Sequence, residues 1–219
     1  NKYFKDIMEL KIIKIQKTTK KNLYKITFDN DTEIQLYTEI LLKFKLRTGD
    51  VIQEKLLNDI SLQNQIYEAK TISLRLLAKR MRTEKEIIDK LKQKKFEDSI
   101  IEHNINELKR MNLINDQEFV EKYINNAITL NKNYGRYTIL NKLLKLGVPK
   151  DLANEKISKF FTDDDEFQTA LNAAKKKMIN LKRFDESKKT QRLISFLSGR
   201  GYNWDIIKKV LSELKINYE

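Results

Sequence analysis

Two stretches of this chain concentrate side chains suited to holding anions. From Arg75 to Lys95 nine basic residues (Arg75, Lys79, Arg80, Arg82, Lys85, Lys90, Lys92, Lys94 and Lys95) accompany three acidic ones, and from Lys175 to Arg192 eight (Lys175, Lys176, Lys177, Lys182, Arg183, Lys188, Lys189 and Arg192) accompany two. Lysine and arginine at that density attract phosphates or an acidic groove. A solvated helix face on a lysine-rich protein has the same composition, so the counts alone do not separate the two readings. A third set interleaves rings and cations: Tyr134, Tyr137, Tyr202 and Trp204 with Arg136 and Arg200, as base-stacking surfaces do. Of these, Tyr202 is expected inside the protein, and Tyr134 and Trp204 are the stacking candidates.

Catalytic chemistry is harder to find. His103 is the only histidine, with Ile101 and Ile105 beside it and no second ligand type nearby. The run Asp163-Asp164-Asp165-Glu166 reads as a helix start, where carboxylates meet the positive end of the helix dipole, and consecutive carboxylates point in different directions. No glycine-rich phosphate loop, Ser/His/Asp set or separated carboxylate pair is evident. The expectation is a binding protein, not an enzyme, with no metal and no cofactor.

Composition agrees with an anionic partner. Lys and Arg number 44 against 31 Asp and Glu, a net charge of +13 over 219 residues, and such an excess repels itself unless an anion offsets it. Nucleic acid is the first candidate. There is no cysteine, hence no disulfide or thiolate chemistry. No apolar run approaches a bilayer's thickness, and Asn1 to Asp6 has no secretory pattern, so a soluble cytoplasmic chain without a membrane partner is expected.

The elements that must position these residues change character near residue 60. From Glu9 to Tyr37 the apolar period is near two, predicting three antiparallel strands joined at Thr18–Asn22 and Asp29–Asp31. Thr38 to Phe44 reads as a short helix, Arg47 to Asp50 as a turn, and Val51 to Asp59 as strand or helix. From Ser61 onward the period is helical: Ile72, Leu76, Leu77 and then Ile87, Ile88, Leu91 recur three or four apart.

That helical part repeats itself. With Phe96, Val148 and Tyr202 aligned, the preceding residue is Lys95, Gly147 and Gly201, and five before stand Leu91, Leu143 and Leu197. Nine before stand Ile87, Ile139 and Leu193, while four and five after stand Ile100-Ile101, Leu152-Ala153 and Ile206-Ile207. Copies 52 and 54 residues apart hold three short helices each. Each aligned point reads as a corner between helices, where glycine takes the left-handed conformation and an apolar residue plugs the turn. Lys95 lacks glycine's freedom, so the first corner is expected to be strained or differently shaped. The expected organisation is a β-rich module over 1–60 followed by three-helix repeats over 61–114, 115–162 and 163–219.

The residues resemble those of a known family, the RecX regulators of the bacterial recombinase RecA. "LLAKRMRTEKEIIDKLKQKKF" (Leu76 to Phe96) is similar to the family's first-repeat pattern, and "LINDQEFVEKYI" (Leu113 to Ile124) to the opening of the second. "RLISFLSGRGYNWDIIKKVL" (Arg192 to Leu211) is similar to the end of the third. Lys95, Val120, Gly199 and Tyr202 depart from the usual residues. The resemblance covers about Tyr67 to Leu214. It implies a mainly α protein, three tandem three-helix repeats forming a curved array after a small β-rich N-terminal module. It also implies a regulator of homologous recombination and DNA repair that binds the RecA filament on DNA and inhibits ATP hydrolysis and strand exchange. A monomer is expected, touching single- or double-stranded DNA directly or through the filament.

On this reading a basic stripe carries the interaction: Arg75, Lys79, Arg80, Arg82 and Lys85 in the first repeat, Arg136 in the second, and Lys182, Arg183, Lys188, Lys189, Arg192 and Arg200 in the third. Equivalent positions of stacked repeats tend to share a face. The competing reading is a helix-turn-helix transcription regulator that docks one recognition helix in the major groove. A nuclease is a third class, and it requires a convergent acidic site that the sequence does not display.

Overall fold

The computed structural model describes residues 9–129 and 133–217. The predicted meander is present as β1 (Glu9–Lys17), β2 (Leu23–Phe28) and β3 (Glu33–Tyr37), antiparallel in sequence order. Both turns use left-handed residues that tolerate it, Asn22 at φ 60° and Asp31 at φ 62°. The register of β1 slips between Ile12 and Lys14, a bulge that throws Ile13 outward while Ile12 and Ile15 face the core. This explains the adjacent isoleucines in an otherwise alternating strand.

The helix α1 (Thr38–Lys43) follows as expected. The ambiguous segment after it is both things at once: β4 (Val51–Gln53) pairs with the start of β1, giving the order β3-β2-β1-β4, and α2 (Glu54–Leu77) begins at the next residue. The boundary expected between residues 60 and 61 therefore lies inside a helix. Its inward residues serve two different neighbours. Ile60 closes the sheet core with Ile12, Ile26, Phe28 and Leu36, whereas Ser73 meets a later helix, so no single apolar stripe marks α2 in the sequence. Midway along α2, Asn64 closes the free edge of β3, accepting from the Tyr37 amide at 3.0 Å and donating to the Gln35 carbonyl at 3.1 Å.

The remaining helices are α3 (Glu84–Gln93), α4 (Asp98–Arg110), α5 (Asp116–Thr129), α6 (Arg136–Lys145), α7 (Lys150–Phe160), α8 (Asp163–Leu181), α9 (Glu186–Gly199) and α10 (Trp204–Glu213). They group by threes, with the C-terminal part of α2 standing first in the first set. The chain forms two compact units. One contains the residues up to 80 together with 87–113, the other 81–86 together with the residues from 114 on. In the first unit α2 packs on α4 through a buried polar pair, Asn104 donating to the Ser73 hydroxyl at 2.8 Å, and through the half-exposed Lys70–Glu107 ion pair at 2.7 Å. Lys70 holds the Glu107 carboxyl below its ordinary pKa. The second unit has two apolar cores, one built on Val120, Ile124, Ile139 and Leu143 and the other on Leu193, Leu197, Ile206 and Val210.

The three corners share one geometry. Phe96, Val148 and Tyr202 donate their amides to Leu91, Leu143 and Leu197, and Lys95, Gly147 and Gly201 donate to Lys92, Leu144 and Ser198. Lys95 takes φ 64°, beside 85° and 84° for the two glycines, so the first corner has the shape of the others. Ile87, Leu91, Ile139, Leu143, Leu193 and Leu197 are all fully buried, as the aligned offsets require.

Candidate functional site

The second helix of one repeat begins against the corner of the next, and the joint recurs. At its first occurrence, inside the second unit, the Thr83 hydroxyl donates to the Leu146 carbonyl at 2.6 Å and accepts from the Glu86 amide at 3.3 Å. The Glu84 amide donates to Asp116 at 3.0 Å, and the stem of Lys85 lies where a side chain on Gly147 would stand, 2.3 Å from its Cβ. Fifty-two residues on, the Gly135 amide donates to the Arg200 carbonyl at 2.8 Å, and the Arg136 amide donates to Glu166 at 2.9 Å. A Cβ on Gly201 would stand 2.4 Å from the Thr138 nitrogen. In both joints a carboxylate from the next repeat's first helix satisfies the first amide of the docking helix, one of the donors every helix leaves open.

This joint sorts the residues expected to bind. Arg136 is half-buried and held by three acceptors: the Phe161 carbonyl and Asp163, each 2.7 Å from Nη2, and Glu166, 2.8 Å from Nε but poorly aligned for a hydrogen bond. It is committed within the protein. Burial pushes the Glu166 carboxyl above its ordinary pKa, while the Arg136 amide and charge pull it down. The acidic run divides its work: Thr162 and Asp165 form a reciprocal cap on α8, and Asp163 and Glu166 hold Arg136. Arg82 is similarly engaged, 2.9 Å from Glu86.

Of the first basic cluster, Arg75, Lys79 and Arg80 are exposed at the end of α2 in the first unit, and Lys85 is exposed in the second. Lys92 pairs with Asp98 at 3.2 Å. The second cluster lies wholly in the second unit and is not uniform. Lys188 pairs with Asp185 at 3.0 Å and Lys189 with Glu186, both inside the first turn of α9. Arg183 and Arg192 instead flank the Phe184 ring, 5.1 and 4.1 Å from its centre, and Lys177 and Arg200 flank Phe196 at 5.2 and 4.5 Å. Lys177, Gln191, Arg192, Ser195 and Phe196 line one furrow of about 520 Å³. Lys182 is exposed on the α8–α9 connection.

Tyr202 is buried as expected, its hydroxyl pushed well up in pKa by that burial, whereas Trp204 is 46 % exposed with Lys208 over its ring. The face of Tyr134 is covered by Lys142 at 3.5 Å. Phe184 and Phe196 were not among the expected site residues. The available signal was the spacing Arg192, Phe196, Arg200, which puts all three on one helix face.

Known proteins agree with this architecture. Residues 69–108 match the model of the RecX first three-helix domain, and residues 163–211 that of the RecX third three-helix domain. Regulatory protein RecX of Clostridioides difficile is 33% identical over 89% of this chain and 90% of its own, and that of Clostridium acetobutylicum is 33% identical over 89% and 91%. The chain belongs to the RecX family of regulatory proteins. A crystal structure of regulatory protein RecX superposes with TM-score 0.68 at 23% identity, covering 93% of this chain and 99% of that one. RecX from Lactobacillus salivarius gives 0.64 at 24%, covering 71% and 99%. At those identities the superpositions speak to the fold. Among the described residues no helix is long and apolar enough to cross a membrane.

Proposed function

We propose that this RecX-family chain binds the RecA filament on DNA and inhibits its ATP hydrolysis and strand exchange, acting by contact and not as an enzyme. The family membership at 33% identity over most of both chains is the observation that carries the reading. A net charge of +13 supports a polyanionic target. On this proposal the protein works as a cytoplasmic monomer, and its exposed basic residues face the filament: Arg75, Lys79, Arg80 and Lys85 of the first repeat, and Lys182, Arg183 and Arg192 of the third. Arg82 and Arg136 are engaged by carboxylates within the protein, Arg200 lies over the Phe196 ring, and Trp204 is the exposed ring available at the third corner.

The test is to add the protein to a preformed RecA filament and follow ATP hydrolysis and strand exchange. Loss of both activities as the protein is added is the expected result. Unchanged rates at saturating protein sink the inhibitory reading, and strong preference for one duplex sequence without recombinase supports the helix-turn-helix alternative instead.

A further inference from the structure

The third repeat separates cations that look alike in sequence. Lys188 and Lys189 are neutralised by Asp185 and Glu186 one turn away. Among the described residues no carboxylate pairs with Lys177, Arg183 or Arg192; each rests on the face of a phenylalanine ring. Phe184 and Phe196 are half-buried against the core of the third repeat, so the rings are fixed and the cations over them are held in place. Arg192 belongs to both groups: it covers Phe184 and lines the furrow with Lys177 and Phe196. The other lining side chains, Gln191 and Ser195, are neutral hydrogen-bond donors, and among the described residues no acid lines the furrow. Along α9, Arg192 and Arg200 stand eight residues apart, about 12 Å at 1.5 Å per residue.

We infer that the furrow between α8 and α9, together with the Phe184 ring that Arg192 shares with Arg183, is a phosphodiester-binding subsite, through which the third repeat holds the backbone of a nucleic-acid strand directly. This deepens the proposed function and rests on it: DNA is touched by the protein itself as well as through the recombinase. A guanidinium seated over a phenylalanine ring keeps its charge and has N–H donors to offer an oxygen, an arrangement that suits phosphate. Because cations occupy those faces, bases find no stacking platform on Phe184 or Phe196. Recognition there runs through the backbone, independent of sequence and sensitive to salt.

The experiment uses the full chain without recombinase and a fluorescent mixed-sequence single-stranded oligonucleotide, titrated at several salt concentrations. Polyglutamate of matching charge is the second probe. Arg183→Gln with Arg192→Gln is expected to weaken oligonucleotide binding at least tenfold and to flatten the log-log salt dependence by roughly 1.4, two contacts at about 0.7 each for a single strand. Lys188→Gln with Lys189→Gln is expected to leave both nearly unchanged. Phe184→Leu keeps an apolar side chain against the core and removes the ring, so it should weaken binding several-fold with both arginines present. Equal effects of the two double substitutions, or no effect of the arginine pair in a chain with wild-type circular dichroism, overturn the subsite. Polyglutamate binding as tight as the oligonucleotide and lost in the same variants assigns the furrow to an acidic protein and overturns it as well. Inhibition of the filament that persists in the arginine variant leaves the proposed function standing while the subsite's direct contact is judged by the oligonucleotide alone.

Discussion

Gly135 and Gly201 approach so closely that a Cβ added to the first would stand 2.2 Å from the carbonyl oxygen of the second. The contact is backbone on backbone, with the Tyr137 amide donating to that same Gly201 oxygen at 3.3 Å. Gly135 has φ −74°, a value open to any residue, so its small size and not its flexibility is what the joint requires.

Gly135→Ala should therefore destabilise the protein by about 3 kcal/mol, the upper range for forcing a group into filled space. Urea denaturation monitored by far-UV circular dichroism measures it. A loss below about 0.5 kcal/mol would mean that the α6 start can shift away from the corner.

Lys95→Gly should act in the opposite direction. Lys95 has the left-handed φ of Gly147 and Gly201 but is exposed, so it bears the conformational cost without a neighbour that needs the space. Relief of the left-handed penalty, offset by glycine's greater freedom when unfolded, leaves a gain of about 0.5–1 kcal/mol. The same denaturation assay decides the sign.

Thr83→Val keeps the shape of the side chain and removes a hydroxyl that serves both as cap acceptor for Glu86 and as donor to Leu146. A cost of about 2 kcal/mol is expected, from a lost cap and an unsatisfied carbonyl. Thr83→Ser should recover most of it. If serine is as damaging as valine, the methyl packing and not the hydroxyl holds the joint.

Glu166 gives the stability a pH dependence of definite sign. Its folded pKa is raised by burial, so the stability it contributes is present below its unfolded pKa, about 4.3, and is lost as pH rises through the folded value. Asp165 and Asp185, lowered by their capping hydrogen bonds, act in the other direction, their contribution lost as pH falls below about 3.9. Glu166→Gln should remove the decline on the alkaline side of pH 4.3 and leave the acid limb in place. Thermal melts from pH 3 to 8 compare the two chains, and parallel curves above pH 4.3 would falsify the assignment.

The repeat was legible because it is written in apolar offsets: Ile87, Ile139 and Leu193 recur at fixed distances from the corner plugs, and all three are fully buried. The joint was not legible, since Thr83 and Gly135 are different residues doing the same job, and their partners Leu146 and Arg200 contribute only main-chain carbonyls. Backbone acceptors leave no mark in a sequence. The uneven second basic cluster was hidden for another reason. Lys189 and Arg192 carry the same charge three residues apart, but one reaches back to a carboxylate in its own turn and the other further back, past the helix start, to the Phe184 ring. Arg136 was read as a surface contact because its acceptors Asp163 and Glu166 are about thirty residues away and looked sufficient as a helix cap.

Asn64 has a wider consequence. By giving the Gln35 carbonyl a donor and the Tyr37 amide an acceptor, the side chain of one helical residue counterfeits the neighbouring strand that β3 lacks. A bare edge of that kind is a template for another chain. Asn64→Leu would leave both main-chain groups without their partners, and the molecule would become sticky: sedimentation of the variant should turn concentration-dependent under conditions where the parent sediments as a single species. One amide thus guards the solubility of a protein whose long-range charge invites company.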